Sequence, residues 1–390
     1  MATDVVSVSV ANKPGLRSVW KSLLLTTPML IWAFLMVGHN LPPERAMKIA
    51  ALVTGLFMAA LFFFMMRTRK TYRWRRIYFV SLGVLFPIGF IHQVIAMRGT
   101  MGIPMEEMIA GRTPFCFLPI PMLLLPAALY KTVVFPGSIL PGSGMAGGGM
   151  AAMVAIWLGM SLVIGKAWCS YACFFGGIEE GVAALPRKPI IKKIDSRWRY
   201  GPWAVLLATS LLSLALFDSV YCMWLCPFKA VSEYVAARNL TMMVQNGVFI
   251  LLFASLVILL PFLTKKRTQC SFLCPFGAFQ SLFNKINIFD VKVDQSKCKP
   301  CNLCENACPT LSINKQSAAE GKTLMSCMKC GACVDVCPRD AAAWHIKGTQ
   351  LGLKPETARL LFLYSAWAMA MMFGSGTIIQ GLGTILKVFL

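Results

Sequence analysis

Charge is scarce in this chain. Only 14% of its 390 residues are Asp, Glu, Lys or Arg, where a soluble globular domain carries roughly 25%. That leaves too little polar surface to coat a water-soluble fold. Acid is scarcer still, with 16 Asp and Glu against 38 Lys and Arg and a formal net charge of +22. Histidine occurs only three times. No small-residue cleavage site follows the first apolar run, so no cleavable signal peptide is expected. The glycine-rich string GSGMAGGGMA (142–151) contains no lysine, which excludes a P-loop. The basic clusters sit beside apolar runs, where Lys and Arg collect in the loops of membrane proteins. Nucleic acid is therefore not an expected partner.

Long apolar runs are abundant. Seven of them, at 22–38, 49–66, 77–97, 148–165, 202–217, 247–263 and 358–386, approach or exceed the roughly 20 residues of a membrane helix. They predict a mainly α, polytopic transmembrane bundle of about seven spans in a lipid bilayer. The basic loops at 67–76, 187–199 and 264–269 are expected inside by the positive-inside rule. The loop 98–113, with Glu106 and Glu107, is expected outside. Counting spans between these loops leaves 114–142 as a re-entrant segment, broken by prolines that include Pro114, Pro119, Pro121, Pro126 and Pro136. The expected divisions are a membrane region over 1–150, a membrane core over 148–287, an inserted domain over 288–350 and a last transmembrane helix over 351–390.

Fifteen cysteines carry the chemistry. The strings CKPCNLCENACP (298–309) and CMKCGACVDVCP (327–338) are each C-x2-C-x2-C-x3-C-P. This is the run of bacterial two-cluster ferredoxins, in which the fourth cysteine serves the other cluster. It predicts an α+β ferredoxin-like domain with two [4Fe–4S] clusters. Cys298, Cys301, Cys304 and Cys337 would hold one, and Cys327, Cys330, Cys333 and Cys308 the other. Zinc ribbons show paired C-x2-C without the third and fourth member, and disulfides are disfavoured in a reducing compartment.

Three further pairs are spaced C-x3-C: Cys169/Cys173, Cys222/Cys226 and Cys270/Cys274. Residues four apart share a helix face, so Cys169, Cys173, Cys270 and Cys274, on one side by the span count, could supply a third iron–sulfur cluster. The count puts Cys222 and Cys226 on the opposite side, beside Cys116, as candidates for a disulfide or a shared metal. His39 and His92 fall within or at the end of apolar runs, where an ionisable group suggests function. They are candidates for quinone chemistry or for haem ligation. His345 reads as a surface residue.

The W-C-x3-C corner, the string CSFLCPFGA (270–278) and the two ferredoxin loops resemble the NapH/NosR-type membrane polyferredoxins over about 160–345. Phe174 stands where that family has proline, and the Cys222/Cys226 pair is an addition. The resemblance implies a subunit that transfers electrons between the quinol/quinone pool and other redox subunits, in a bacterial-type inner membrane with its ferredoxin domain and N-terminus cytoplasmic. It also leaves two alternatives: a redox assembly or maturation factor for a metalloenzyme, and a membrane redox regulator.

Overall fold

A computed structural model describes residues 15–38, 44–96, 150–192, 194–216, 220–232, 239–350 and 355–389. His39, Cys116 and the expected re-entrant segment 114–142 lie outside these residues. His92 belongs to a described helix, but its side chain lies outside what is described.

Four long helices form the bundle: α1 (Val19–Gly38), α2 (Arg45–Thr68), α3 (Thr71–Ala96) and, from the other end of the chain, α11 (Pro355–Phe389). Their facing sides are apolar. Trp367 of α11 is fully buried, with its ring 6.0 Å from Phe62 of α2 and 5.1 Å from Tyr78 of α3. Gly374 leaves the space that the Tyr78 hydroxyl occupies. That hydroxyl lies 2.8 Å from the carbonyl of Tyr171 and 3.1 Å from that of Ala370.

Between these helices the chain lays down α4 (Met150–Ile164), α5 (Phe174–Ala184), α6 (Gly201–Leu216), α7 (Leu240–Thr264) and α8 (Pro275–Ile286). Then β1 (Phe289–Val293), α9 (Leu303–Ala307), α10 (Ala332–Val336) and β2 (Ala342–Ile346) build the small domain. Its two strands pair antiparallel, Phe289 opposite Ile346 and Val293 opposite Ala342. His345 is buried here and bonds Asp290 across the ladder at 3.0 Å and the Thr349 carbonyl at 3.1 Å. The surface position expected for it is corrected.

Among the described residues four helices are long and apolar enough to cross a membrane: Val19–Met36, Arg45–Thr68, Leu240–Thr264 and Pro355–Phe389. At 35 residues, α11 is about 52 Å long, well beyond the ~30 Å hydrocarbon core. Its first turns therefore project from the bundle, where Phe362 stacks on Trp344 of β2 at 4.1 Å. The last helix thus clamps the small domain to the bundle.

Of the stretch 202–217, expected to span, the described part belongs to α6, Gly201–Leu216. The Val220 amide donates to the Ser213 hydroxyl at 3.2 Å.

Candidate functional site

The small domain gathers its eight cysteines into two sets. Cys298, Cys301, Cys304 and Cys337 line one broad, solvent-open cavity. Cys308, Cys327, Cys330 and Cys333 line a second, smaller hollow. In each set three thiols come from one loop and the fourth from the other. The loops are matched in conformation. Asn302 and Gly331, each directly after a second cysteine, adopt left-handed φ of 56° and 85° and start α9 and α10. Both residue types tolerate that region. A Cβ on Gly331 would also stand 3.2 Å from Thr71. The two fourth cysteines match as well. The Ser312 amide donates to Cys308 Sγ at 3.2 Å, and the Ala341 amide to Cys337 Sγ at 3.3 Å. Amide-to-sulfur bonds of this kind tune iron–sulfur potentials.

The two sets differ in setting. Cys301 is exposed, whereas Cys308, Cys330 and Cys333 are buried. Burial pushes the Cys330 thiol up to about 12 and raises Cys333 as well. Such thiols keep their protons unless a metal takes the proton's place.

The buried set faces the membrane bundle. Asp335 on α10 accepts from the amides of Thr71 and Tyr72 at 3.1 and 2.7 Å, so a carboxylate of the small domain caps the start of α3. Asn284 of α8 donates to the carbonyls of Met325 and Cys327 at 2.7 and 2.6 Å. Met328, inside the second cysteine loop, makes two contacts with the membrane segments. Arg267 Nη1 lies 3.0 Å from its Sδ, and the Ser170 hydroxyl donates to its carbonyl at 2.7 Å.

Ser170 and Arg267 belong to the C-x3-C corners, and the structure revises how those corners are built. A continuous helix was expected to carry both thiols on one face. Instead Cys169 sits in the short helix Trp168–Tyr171, the chain breaks, and Cys173 is extended at the N-cap of α5 (φ −78°, ψ 100°). Cys270 and Cys274 repeat this with the helix Thr268–Phe272 and the N-cap of α8 (φ −67°, ψ 108°). Cys226 takes the same extended conformation (φ −79°, ψ 107°). A helix N-terminus is electropositive, so the second thiol of each long-helix corner sits where a thiolate is favoured. The Gly277 amide donates to Cys274 Sγ at 3.4 Å.

The corner at Cys169/Cys173 dips into the bundle. Phe174, at the head of α5, stacks on Phe86 at 3.8 Å, while Glu180 further along bonds Arg75. Phe86 is eleven residues beyond Arg75 on α3, about 16 Å. So α5 runs antiparallel to α3 and returns toward the small domain, making a 47° bend with α4.

Corners one and three interlock. Glu179 of α5 accepts from the amides of Gln269 and Cys270 at 2.6 and 3.4 Å. Arg267 Nη2 donates to the Cys169 carbonyl at 3.0 Å and reaches Cys270 Sγ at 3.1 Å. Lys166, also buried, lies in electrostatic reach of Cys169, Cys270 and Cys274. The four thiols therefore share one buried neighbourhood.

The middle corner is not set apart on the far side, as the span count had it. The Tyr221 hydroxyl accepts from Gln269 Nε2 at 3.0 Å, and Phe228 stacks on Phe175 at 4.0 Å. These contacts bring Cys222 and Cys226 against the other two corners. Among the described residues no three His, Cys, Asp or Glu side chains are placed to hold a single metal ion. A cluster core spreads its cysteines over several irons.

Arg75, Lys166, Glu179, Asn284, Arg267 and Met328 escape a reading based on cysteine spacing. Two of them left a signal, because Lys166 and Arg267 both stand three residues before the first cysteine of a corner.

Comparisons with known proteins agree with this division. A family model described as a 4Fe-4S dicluster domain matches residues 290–338. A second, described as a 4Fe-4S binding domain, matches three times, at 146–193, 201–241 and 246–293, once for each corner. The chain is 25% identical to an uncharacterized protein of Methanocaldococcus jannaschii over 50% of this chain and 77% of that protein. It is 29% identical to the ferredoxin-type protein NapH of Haemophilus influenzae, over 44% of this chain and 59% of the relative. It is 31% identical to the methylamine utilization ferredoxin-type protein MauN of Paracoccus denitrificans, over 38% and 50%. The chain thus spans half to three quarters of the length of these relatives. No solved structure matches it.

Proposed function

We propose, from its membership of the NapH/NosR-type ferredoxin-type membrane proteins, that this chain passes electrons between the quinol pool and a partner redox protein. Its relatives, its 4Fe-4S family matches and its apolar helices support iron–sulfur electron transfer in a membrane protein. Cys298, Cys301, Cys304 and Cys337 hold one [4Fe–4S] cluster, and Cys308, Cys327, Cys330 and Cys333 hold the other. When bound, these clusters supply one-electron chemistry.

The observation that carries the reading is the contact at Met328. One thiol set opens to solvent and suits a partner that docks from the aqueous side. The other lies behind Met328, which touches Arg267 and Ser170 in the membrane corners. The protein thus offers one redox face to water and one to the bundle. Burial keeps water off Cys308, Cys330 and Cys333, and the amide bonds to Cys308 and Cys337 tune the potentials of the clusters they would hold. The basic loops at 67–76 and 264–269 support a cytoplasmic position for the small domain.

The test is reduction by quinol. Protein in lipid nanodiscs, mixed anaerobically with a quinol, is expected to lose the visible absorbance of its oxidised clusters as quinone appears. The reading fails if dithionite bleaches the clusters and quinol leaves them oxidised.

A further inference from the structure

The three corners are repeats of one motif, yet two of them share features that the third lacks. Three residues before the first cysteine stands a cation, Lys166 in one corner and Arg267 in the other. The matching residue before Cys222 is Ser219. Three residues after the second cysteine stands a glycine, Gly176 or Gly277, where the middle corner has Lys229. The glycines keep the thiol neighbourhood uncrowded. A Cβ on Gly176 would collide with the Arg267 guanidinium, whereas one on Gly277 would only reach ordinary contact with Cys270 O and Cys274 Sγ, at 3.5 and 3.7 Å.

The two cations are unequally paired. Lys166 is 5% exposed, donates to the Ser281 hydroxyl at 2.9 Å, and among the described residues has no carboxylate in ion-pair reach. Arg267 is fully buried, and its Nε makes no hydrogen bond. It shares two acids, Glu179 and Glu180, with other partners. Glu179 accepts from two amides, and Glu180 pairs with Arg75. The nearest Arg267–carboxylate distances are 3.7 and 3.8 Å. A desolvated cation is costly without a counter-charge. Lys166 lies in electrostatic reach of Cys169, Cys270 and Cys274, and Arg267 of Cys270 and Cys173 as well as of Glu179 and Glu180. Four thiolates on a [4Fe–4S] core leave a net charge of about 2−, which two cations balance.

We propose that Cys169, Cys173, Cys270 and Cys274 jointly hold a third iron–sulfur cluster across the first and third corners, with Lys166 and Arg267 as its counter-cations, and that Cys222 and Cys226 take no part. This rests on the reading of the chain as an iron–sulfur electron carrier. It adds what the family match leaves open, namely which corners pair. The site adjoins the second ferredoxin loop through the Arg267–Met328 contact, so it extends the redox-active face into the bundle.

The experiment is iron and acid-labile sulfide per chain in anaerobically purified full-length protein. About twelve irons are expected, four per cluster. Cys173→Ser with Cys274→Ser should leave about eight, with both ferredoxin EPR signals intact. Cys222→Ser with Cys226→Ser should leave the count at about twelve. Lys166→Gln keeps every ligand, so it should keep the iron and shift the third cluster to a more negative potential. About eight irons in the wild type, with both ferredoxin clusters fully occupied by spin integration, overturn the proposal. So does loss of iron on replacing Cys222 and Cys226. The count needs no electron donor, so failure of quinol reduction with about twelve irons present would sink the quinol reading alone.

Discussion

Serine at Cys337 is expected to abolish the same EPR signal as serine at Cys298, although 39 positions separate them in the chain. Serine at Cys308 should instead match serine at Cys327. Each single change should remove about four irons and break the path between the aqueous and membrane faces. The expectation follows from the two thiol sets. Cys337 ends α10 but lines the cavity of Cys298, Cys301 and Cys304, while Cys308 ends α9 but lines the hollow of the second loop. If each loop held its own four cysteines, Cys308→Ser would match Cys298→Ser instead, and the assignment would be wrong. The solvent-open set should also lose its cluster first when the protein is exposed to a chelator, since Cys301 is exposed and Cys330 and Cys333 are not.

Methionine at Arg75 is expected to destabilise the bundle by about 3–5 kcal/mol, the usual effect of stranding one member of a buried ion pair. Arg75 is fully buried and bonds Glu180, itself 2% exposed. It also donates to the Ser170 carbonyl at 2.8 Å, so it ties α3 to α5 and to the first corner. Removing it leaves a carboxylate inside the bundle with only the distant Arg267 guanidinium nearby, at 3.7 Å. The double change Arg75→Met with Glu180→Leu should recover most of the loss, because an apolar pair of similar volume replaces both charges. Recovery should be incomplete, since the Ser170 carbonyl loses its donor. Thermal inactivation in detergent, followed by loss of cluster absorbance, measures both. Equal stability of Arg75→Met and wild type would contradict the buried network.

What was legible in the sequence was local. Eight ferredoxin cysteines follow a spacing that a single loop imposes, and apolar runs announce helices by composition alone. The corners were harder, because C-x3-C reads equally well as two positions on one helix face. The break after Tyr171 and Phe272, which puts the second cysteine at an N-cap, depends on packing of α5 and α8 against distant helices. The placing of Cys222 and Cys226 rested on a span count, whereas the neighbouring Tyr221 and Phe228 touch Gln269 and Phe175. His345 was misread because its partner, Asp290, lies 55 residues away across a strand pair. Met328 carries no signal in the sequence at all, since its importance is purely one of position.

The central claim is that this chain is a one-electron iron–sulfur carrier whose clusters lead from water into the membrane bundle. An EPR-monitored redox titration of the protein in nanodiscs tests it most directly. Reversible one-electron waves from iron–sulfur clusters, removed selectively by serine at Cys298 and at Cys327, are the result predicted here. A single two-electron wave from thiols alone, with no iron-based signal at any potential, would contradict it.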